Sequence, residues 1–140
     1  MKKLGFSFIL SLVAMTLLCL TACDVRQKMI EKQVAALNAS TPMMIDPTIR
    51  LDKVEALPGL AIKFTSTMIG SDKEAFDTLE SETNLVARMK KEMVASLKTN
   101  QGFTDVKRAG VTFVYSFQDD AGEHLFDITI SPEDYLSGKL

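Results

Sequence analysis

The sequence predicts an α+β fold in the order α-β-β-α-β-β, with a four-stranded antiparallel sheet and helices packed on one face. Three observations carry this. Apolar residues step by three or four along Asp24–Ala39 and along the stretch after Ser71. They alternate with polar residues through Ile49–Met68 and Val111–Ile130. A tight-turn signal divides each alternating stretch in two, Pro58-Gly59 in the first and Asp119-Asp120-Ala121-Gly122 in the second. Two hairpins separated by a helix favour an antiparallel sheet covered on one side.

The first helix places Val25, Met29, Ile30, Val34 and Leu37 on one stripe, with Arg26, Lys28, Glu31 and Lys32 between them. Asn38-Ala39-Ser40-Thr41-Pro42 ends it, since the residue before a proline is pushed out of the helical region. Met43–Pro47 reads as a loop with an apolar Met43-Met44-Ile45 stretch. Ile49–Leu57 reads as a strand. Pro58-Gly59 turns the chain, and Leu60, Ile62, Phe64 and Met68 mark a half-buried second strand. Ser71 or Asp72 caps one long helix with Glu74 in its first turn. Its stripe is Phe76, Leu79, Thr83, Val86, Met89, Met93 and Leu97, and Lys90, Lys91, Glu92 and Lys98 face away. Asn100-Gln101-Gly102 closes the helix, and a loop runs through Gly110. Val111, Phe113, Tyr115 and Phe117 mark the third strand; His124, Phe126, Ile128 and Ile130 mark the fourth. Ser131–Leu140 reads as a short turn and a loose end.

The N-terminus has three parts. Lys2 and Lys3 are positive, Leu4–Leu20 is uncharged and mostly apolar, and Thr21 and Ala22 are small residues beside Cys23. That is the architecture of an export signal. Leu20-Thr21-Ala22-Cys23 resembles the lipobox of bacterial lipoproteins. The resemblance implies a diacylglyceryl thioether on Cys23, cleavage before it, and palmitate-type acylation of the new amino group. Two or more acyl chains anchor stably where one does not. Residues 1–22 are then a cleaved signal peptide, and 23–140 form a single small α+β periplasmic domain. An uncleaved transmembrane helix is the alternative; Leu4–Leu20 would reach roughly 26 Å at about 1.5 Å per residue, just short of a ~30 Å hydrocarbon core. Asp24 resembles the signal that retains lipoproteins in the inner membrane of enteric-type bacteria, so the expected location leans to the inner over the outer membrane, facing the periplasm. A carboxylate also suits the start of a helix.

Of 16 basic and 18 acidic side chains, only Lys2 and Lys3 lie in the signal, so the mature chain is about −4 in formal charge. That excess of acid argues against nucleic acid as a partner. Cys19 leaves with the signal and Cys23 is alkylated, which leaves neither a thiolate nucleophile nor a disulfide in the mature domain. The helix begins directly at the lipid with no Ser/Gly spacer, so the body is expected close to the bilayer.

No catalytic, cofactor-binding or metal-binding residues are assigned. His124 is the only histidine and reads as a cross-strand polar residue beside Glu123 and Asp127. Asp119, Asp120 and Glu123 surround a glycine without the spacing of a calcium loop, and read as a solvated hairpin turn. Met89 and Met93 fall on the helix stripe and read as core, whereas Met43-Met44-Ile45 reads as a buried loop or an apolar patch that docks a partner or the membrane. The Lys90-Lys91 and Lys107-Arg108 pairs read as solvated faces. Glycine-rich phosphate loops, Gly-x-Ser-x-Gly and His-Glu-x-x-His are absent from the sequence.

Pro42–Asp52, Gly110–Tyr115 and Asp120-Ala121-Gly122 resemble segments of small exported bacterial proteins of unassigned activity. That resemblance supports the hairpins and adds no mechanism. The anchor, the lack of catalytic groups and the short tether lead to the expectation of a non-enzymatic, lipid-anchored accessory or binding protein that contacts another envelope protein: a secretion component, an enzyme to be inhibited, or a toxin to be neutralised. The alternative is a carrier or sensor of a small apolar ligand held between sheet and long helix, with Phe113, Tyr115, Phe117 and Phe126 lining the space.

Overall fold

Strand-period alternation and helix-period stripes build one α+β layer pair in the computed structural model, which describes residues 24–78 and 82–137. The signal residues 1–22, Cys23, Leu79 and the end of the tail lie outside the described residues, as does the side chain of Thr83. Helix α1 spans residues 24–38. It is followed by β1 (Met43–Asp46), β2 (Ile49–Leu57), β3 (Ala61–Met68), α2 (Lys73–Asp77), α3 (Glu82–Thr99), a 3-10 turn (Gln101–Phe103), α4 (Thr104–Arg108), β4 (Thr112–Gln118), β5 (His124–Ile130) and α5 (Pro132–Leu136).

The helices pack on a sheet, as expected, but the sheet has five strands in the order β1-β2-β3-β4-β5 and is mixed. The fifth strand is β1, expected to be loop. Asp46 explains it. Its Oδ1 accepts the backbone N–H groups of Thr48 (2.6 Å) and Ile49 (2.9 Å) and the Thr48 hydroxyl (2.8 Å), closing a tight turn through Pro47. The chain reverses there, and Met43 and Met44 pair back on Leu51 and Arg50.

The central pair, β3 and β4, is parallel, with Phe64 opposite Tyr115. The reason is the connection. Residues 69–111 are long enough to carry the chain back along the sheet in α3, so β4 starts at the same end as β3. The outer pairs are antiparallel hairpins. At the β2–β3 turn, Gly59 (φ 79°) and Leu60 (φ 58°) both adopt left-handed backbone.

Three other segments differ from expectation. The long helix is divided: Asp72 caps α2 by accepting from Glu74 and Ala75 N–H, and α2 stops at Asp77 before α3 begins. The expected loop before Gly110 holds α4, with Val106 buried. The expected loose end holds α5, where Asp134 accepts the Ser131 N–H (2.9 Å) and hydroxyl (3.2 Å) ahead of Pro132.

Register puts Val54, Phe64, Tyr115 and Ile128 in one row, and Ile62, Phe113 and Ile130 in the next. Ile30 and Val34 of α1, Phe76 of α2, Val94 and Leu97 of α3, Val106 of α4 and Tyr135 of α5 join them in a single core. Phe113 is fully buried, met edge-on by Phe103 and Tyr135. The Tyr135 hydroxyl donates to the Val111 carbonyl at 2.7 Å, which locks α5 down. The opposite sheet face is polar: Asp52 accepts from Arg50 and from Thr67, and Gln118 reaches Thr67 from β4.

Helix α1 is held on the free edge of β2 by two side chains. The Asn38 amide donates to the Val54 carbonyl (2.6 Å) and accepts the Val54 N–H (2.8 Å). Gln27 donates to the Leu57 carbonyl (3.2 Å). β1 covers β2 only as far as Leu51, so Asn38 substitutes for a strand neighbour beyond that point. Asn38→Ala leaves both Val54 backbone groups unpaired, and unfolding in urea is expected to show a loss of about 1–3 kcal/mol with little change in the denaturant slope.

Candidate functional site

An apolar groove of about 450 Å³ opens between the sheet and the helices. Leu51, Phe64 and Phe117 belong to its floor, Leu37 and Met43 to one wall, Met89 and Met93 to the other. It is more enclosed than the depressions between α3 and β5, between α3 and α5, and beside the β2–β3 turn. It exists because α1 covers the β2 side of the sheet and α3 packs towards β5 and α5, which leaves the middle strands partly uncovered. The size falls in the range of ligand and peptide sites.

The floor is aromatic. Phe64 and Tyr115 stack across the parallel pair with centroids 4.9 Å apart, and Phe117 stacks on Phe126 at 4.8 Å. The walls are rich in methionine, unbranched and polarizable, which suits a surface that must fit a variable apolar partner. Polar chemistry is sparse: the Ser66 hydroxyl, the Tyr115 phenol and, at the exposed rim, Glu92. Desolvation pushes the Tyr115 phenol up to about 12, so it is a neutral donor at any physiological pH.

The groove continues onto the sheet edge. β1 is exposed throughout, and its groove-lining residues Met43 and Ile45 are 39 % and 57 % accessible, while Met44 alternates to the other face beside Arg50. Its outer edge pairs with no other strand among the described residues. Exposed apolar residues in contact with an apolar groove form the kind of surface that soluble domains reserve for contact.

The sequence reading placed Tyr115 and Phe117 on such a space, and both line it. Phe113 and Phe126 do not: Phe113 is interior, and Phe126 is buried between Phe76 and Phe117. Met89 and Met93, read as core, are half-buried groove walls. Glu92, read as facing away, reaches the rim. Of the dock-or-loop stretch Met43-Met44-Ile45, Met43 and Ile45 line the groove.

The other candidates serve the scaffold. Asp119 is buried and accepts N–H groups from Glu123 (2.8 Å), Ala121 (2.9 Å) and Lys73 (3.1 Å). Those bonds, the one from Glu123 foremost, hold its carboxyl below the ordinary range despite burial. Asp120 accepts the Gly70 N–H at 2.8 Å, so the β4–β5 turn latches the β3–α2 connection. His124 is exposed, its Nε2 2.9 Å from Asp127. Lys90 pairs with Asp134 at 3.4 Å, and Lys107 Nζ donates to the Leu97 (2.6 Å) and Asn100 (3.0 Å) carbonyls at the end of α3. Asp24 is exposed in the first turn of α1. No group of three or more His, Cys, Asp or Glu suited to a metal occurs among the described residues.

The Tyr115 environment has a measurable consequence. The unfolded chain releases this proton near pH 10, whereas the folded protein retains it to about 12. Stability is therefore fully present below pH 10 and falls as pH rises from 10 towards 12. Urea midpoints compared at pH 9 and 11 should fall less in Tyr115→Phe than in the parent.

No protein-family model matches the chain, and no curated protein matches it by sequence. Solved structures share the fold. One is a candidate secreted protein of Pseudomonas aeruginosa, with TM-score 0.64 and 17% identity over 79% of this chain and 92% of its own. The pilotin EpsS of the Vibrio vulnificus type 2 secretion system aligns with TM-score 0.60 and 9% identity, over 80% of this chain and 93% of its own. AspS, the type II secretion system pilotin of Vibrio cholerae, aligns with TM-score 0.56 and 13% identity, over 79% and 93%. At these identities the likeness is one of fold.

Proposed function

We propose that this chain is a lipid-anchored cell-envelope protein that works by protein–protein contact, docking an apolar segment of another envelope protein in the groove between β1 and α3. The open, methionine-walled groove running onto the bare apolar edge of β1 is the observation that carries it. A segment inserted there buries apolar side chains that neither partner can bury alone. The lipobox-like Leu20-Thr21-Ala22-Cys23 supplies the anchor, with the lipid on Cys23 and Asp24 as the sorting residue. Tethering confines the groove to a surface and raises its effective concentration for a membrane-bound partner. The pilotin fold of two neighbours supports an accessory role in secretion over inhibition of an enzyme or neutralisation of a toxin. No catalytic role is proposed for any residue.

The groove's volume also favours a second reading, a small apolar ligand held over Tyr115 and Phe117. Native mass spectrometry of the purified protein separates the two, since a carrier retains a bound small molecule and a docking protein does not.

The test is site-specific photocrosslinking in intact membranes. A crosslinker at Met89 is expected to capture one identifiable envelope protein, and one at Lys63 on the polar face is not. Met93→Glu, which sets a carboxylate into the apolar wall, should cut that yield at least tenfold with the urea midpoint little changed. Cys23→Ala should move the protein out of the membrane fraction and reduce the crosslink. Equal capture from both faces, or no effect of Met93→Glu, would overturn the docking assignment.

A further inference from the structure

The pinned position of α1 sets where a lipid on Cys23 would lie relative to the groove. Asp24 is already helical, and consecutive Cα atoms are about 3.8 Å apart, so no slack separates Cys23 from α1. The helix cannot swing, because its first turns are tied to Leu57 through Gln27 and its last turn to Val54 through Asn38. Its start therefore lies at the β2–β3 turn, beside exposed Pro58 and Gly59.

The groove belongs to the other half of the molecule. Its β2 residues are Ile49 and Leu51, and register places Met68 and Ser66 opposite them, away from the Leu57–Ala61 end. From Leu57 to Leu51 is six residues, roughly 20 Å at about 3.3 Å per strand residue. The 15 residues of α1 give roughly 22 Å at about 1.5 Å each.

We infer that the anchored protein stands with its β2–β3 turn against the bilayer and presents its groove on the far side, roughly 20 Å from the lipid surface. This rests on the lipid-anchor reading and adds the partner's chemistry to it: the docked segment is a water-side peptide that brings its own apolar residues, not a helix still embedded in the membrane. The surface facing lipid is the Pro58-Gly59 turn with the exposed first turns of α1, including Val25, which is 68 % accessible, and the cations Arg26 and Lys28.

The experiment uses the full lipidated chain reconstituted in phosphatidylcholine–phosphatidylglycerol vesicles that carry a headgroup-linked quencher. The mature domain offers no other free thiol once Cys23 is alkylated, so single cysteines can be labelled with a fluorophore. Pro58→Cys and Lys28→Cys mark the near end; Met44→Cys and Glu92→Cys mark the far end. Quenching several-fold stronger at 58 and 28 than at 44 and 92 is the expected result. Equal or reversed quenching, with lipid on Cys23 confirmed by mass spectrometry, overturns the orientation and leaves the anchor standing. A lipid-free N-terminus overturns both.

Discussion

One side-chain amide sets the frame of this molecule. Asn38 meets both backbone groups of Val54, donor to acceptor and acceptor to donor, as a neighbouring strand would. Without it the edge of β2 beyond Leu51 would present raw backbone to water. With it, α1 lies along that edge, Ile30 and Val34 enter the core, and Leu37 is delivered to the groove wall. The same bond fixes which end of the helix meets the β2–β3 turn. Core packing, the shape of the groove and the direction of the N-terminus therefore share one local contact.

The second constraint is topological. Because α3 carries the chain back along the sheet, β4 joins β3 in parallel and the two hairpins lie side by side. Helix α3 then packs towards β5 and α5, while α1 stays at the other flank. A sheet of five strands is wider than two helices can cover. The uncovered strip is the groove, a product of the layer's width rather than of any special loop.

Much of the fold could be read directly. Alternation located β2 and the strands around Tyr115 and Ile128 almost to the residue, and the apolar stripe located α1. What escaped was chemistry written in side chains rather than in periodicity. Asp46-Pro47-Thr48 is a turn whose strength lies in three bonds to a single oxygen, and overlooking it turned β1 into a loop. Ser131-Pro132-Glu133-Asp134 carries a helix start in plain view, in a segment that reads as a short turn when its capping pair is not noticed. The parallel pair needed only a count of chain reversals. The groove was half legible: Tyr115 and Phe117 could be named, but apolar residues that line a gap and apolar residues that fill a core have the same pattern. Only the positions of α1 and α3 separate them.

Met43, Met89 and Met93 give the groove its walls, and thioethers are also the side chains most readily oxidised without breaking the chain. Each sulfoxide would place a strong, chiral acceptor where the surface is otherwise dry. Three sulfurs therefore lie around one apolar opening. The surface best able to adapt to a partner is thus also the one whose polarity an oxidant can reset, and reductive repair of the sulfoxides would restore it.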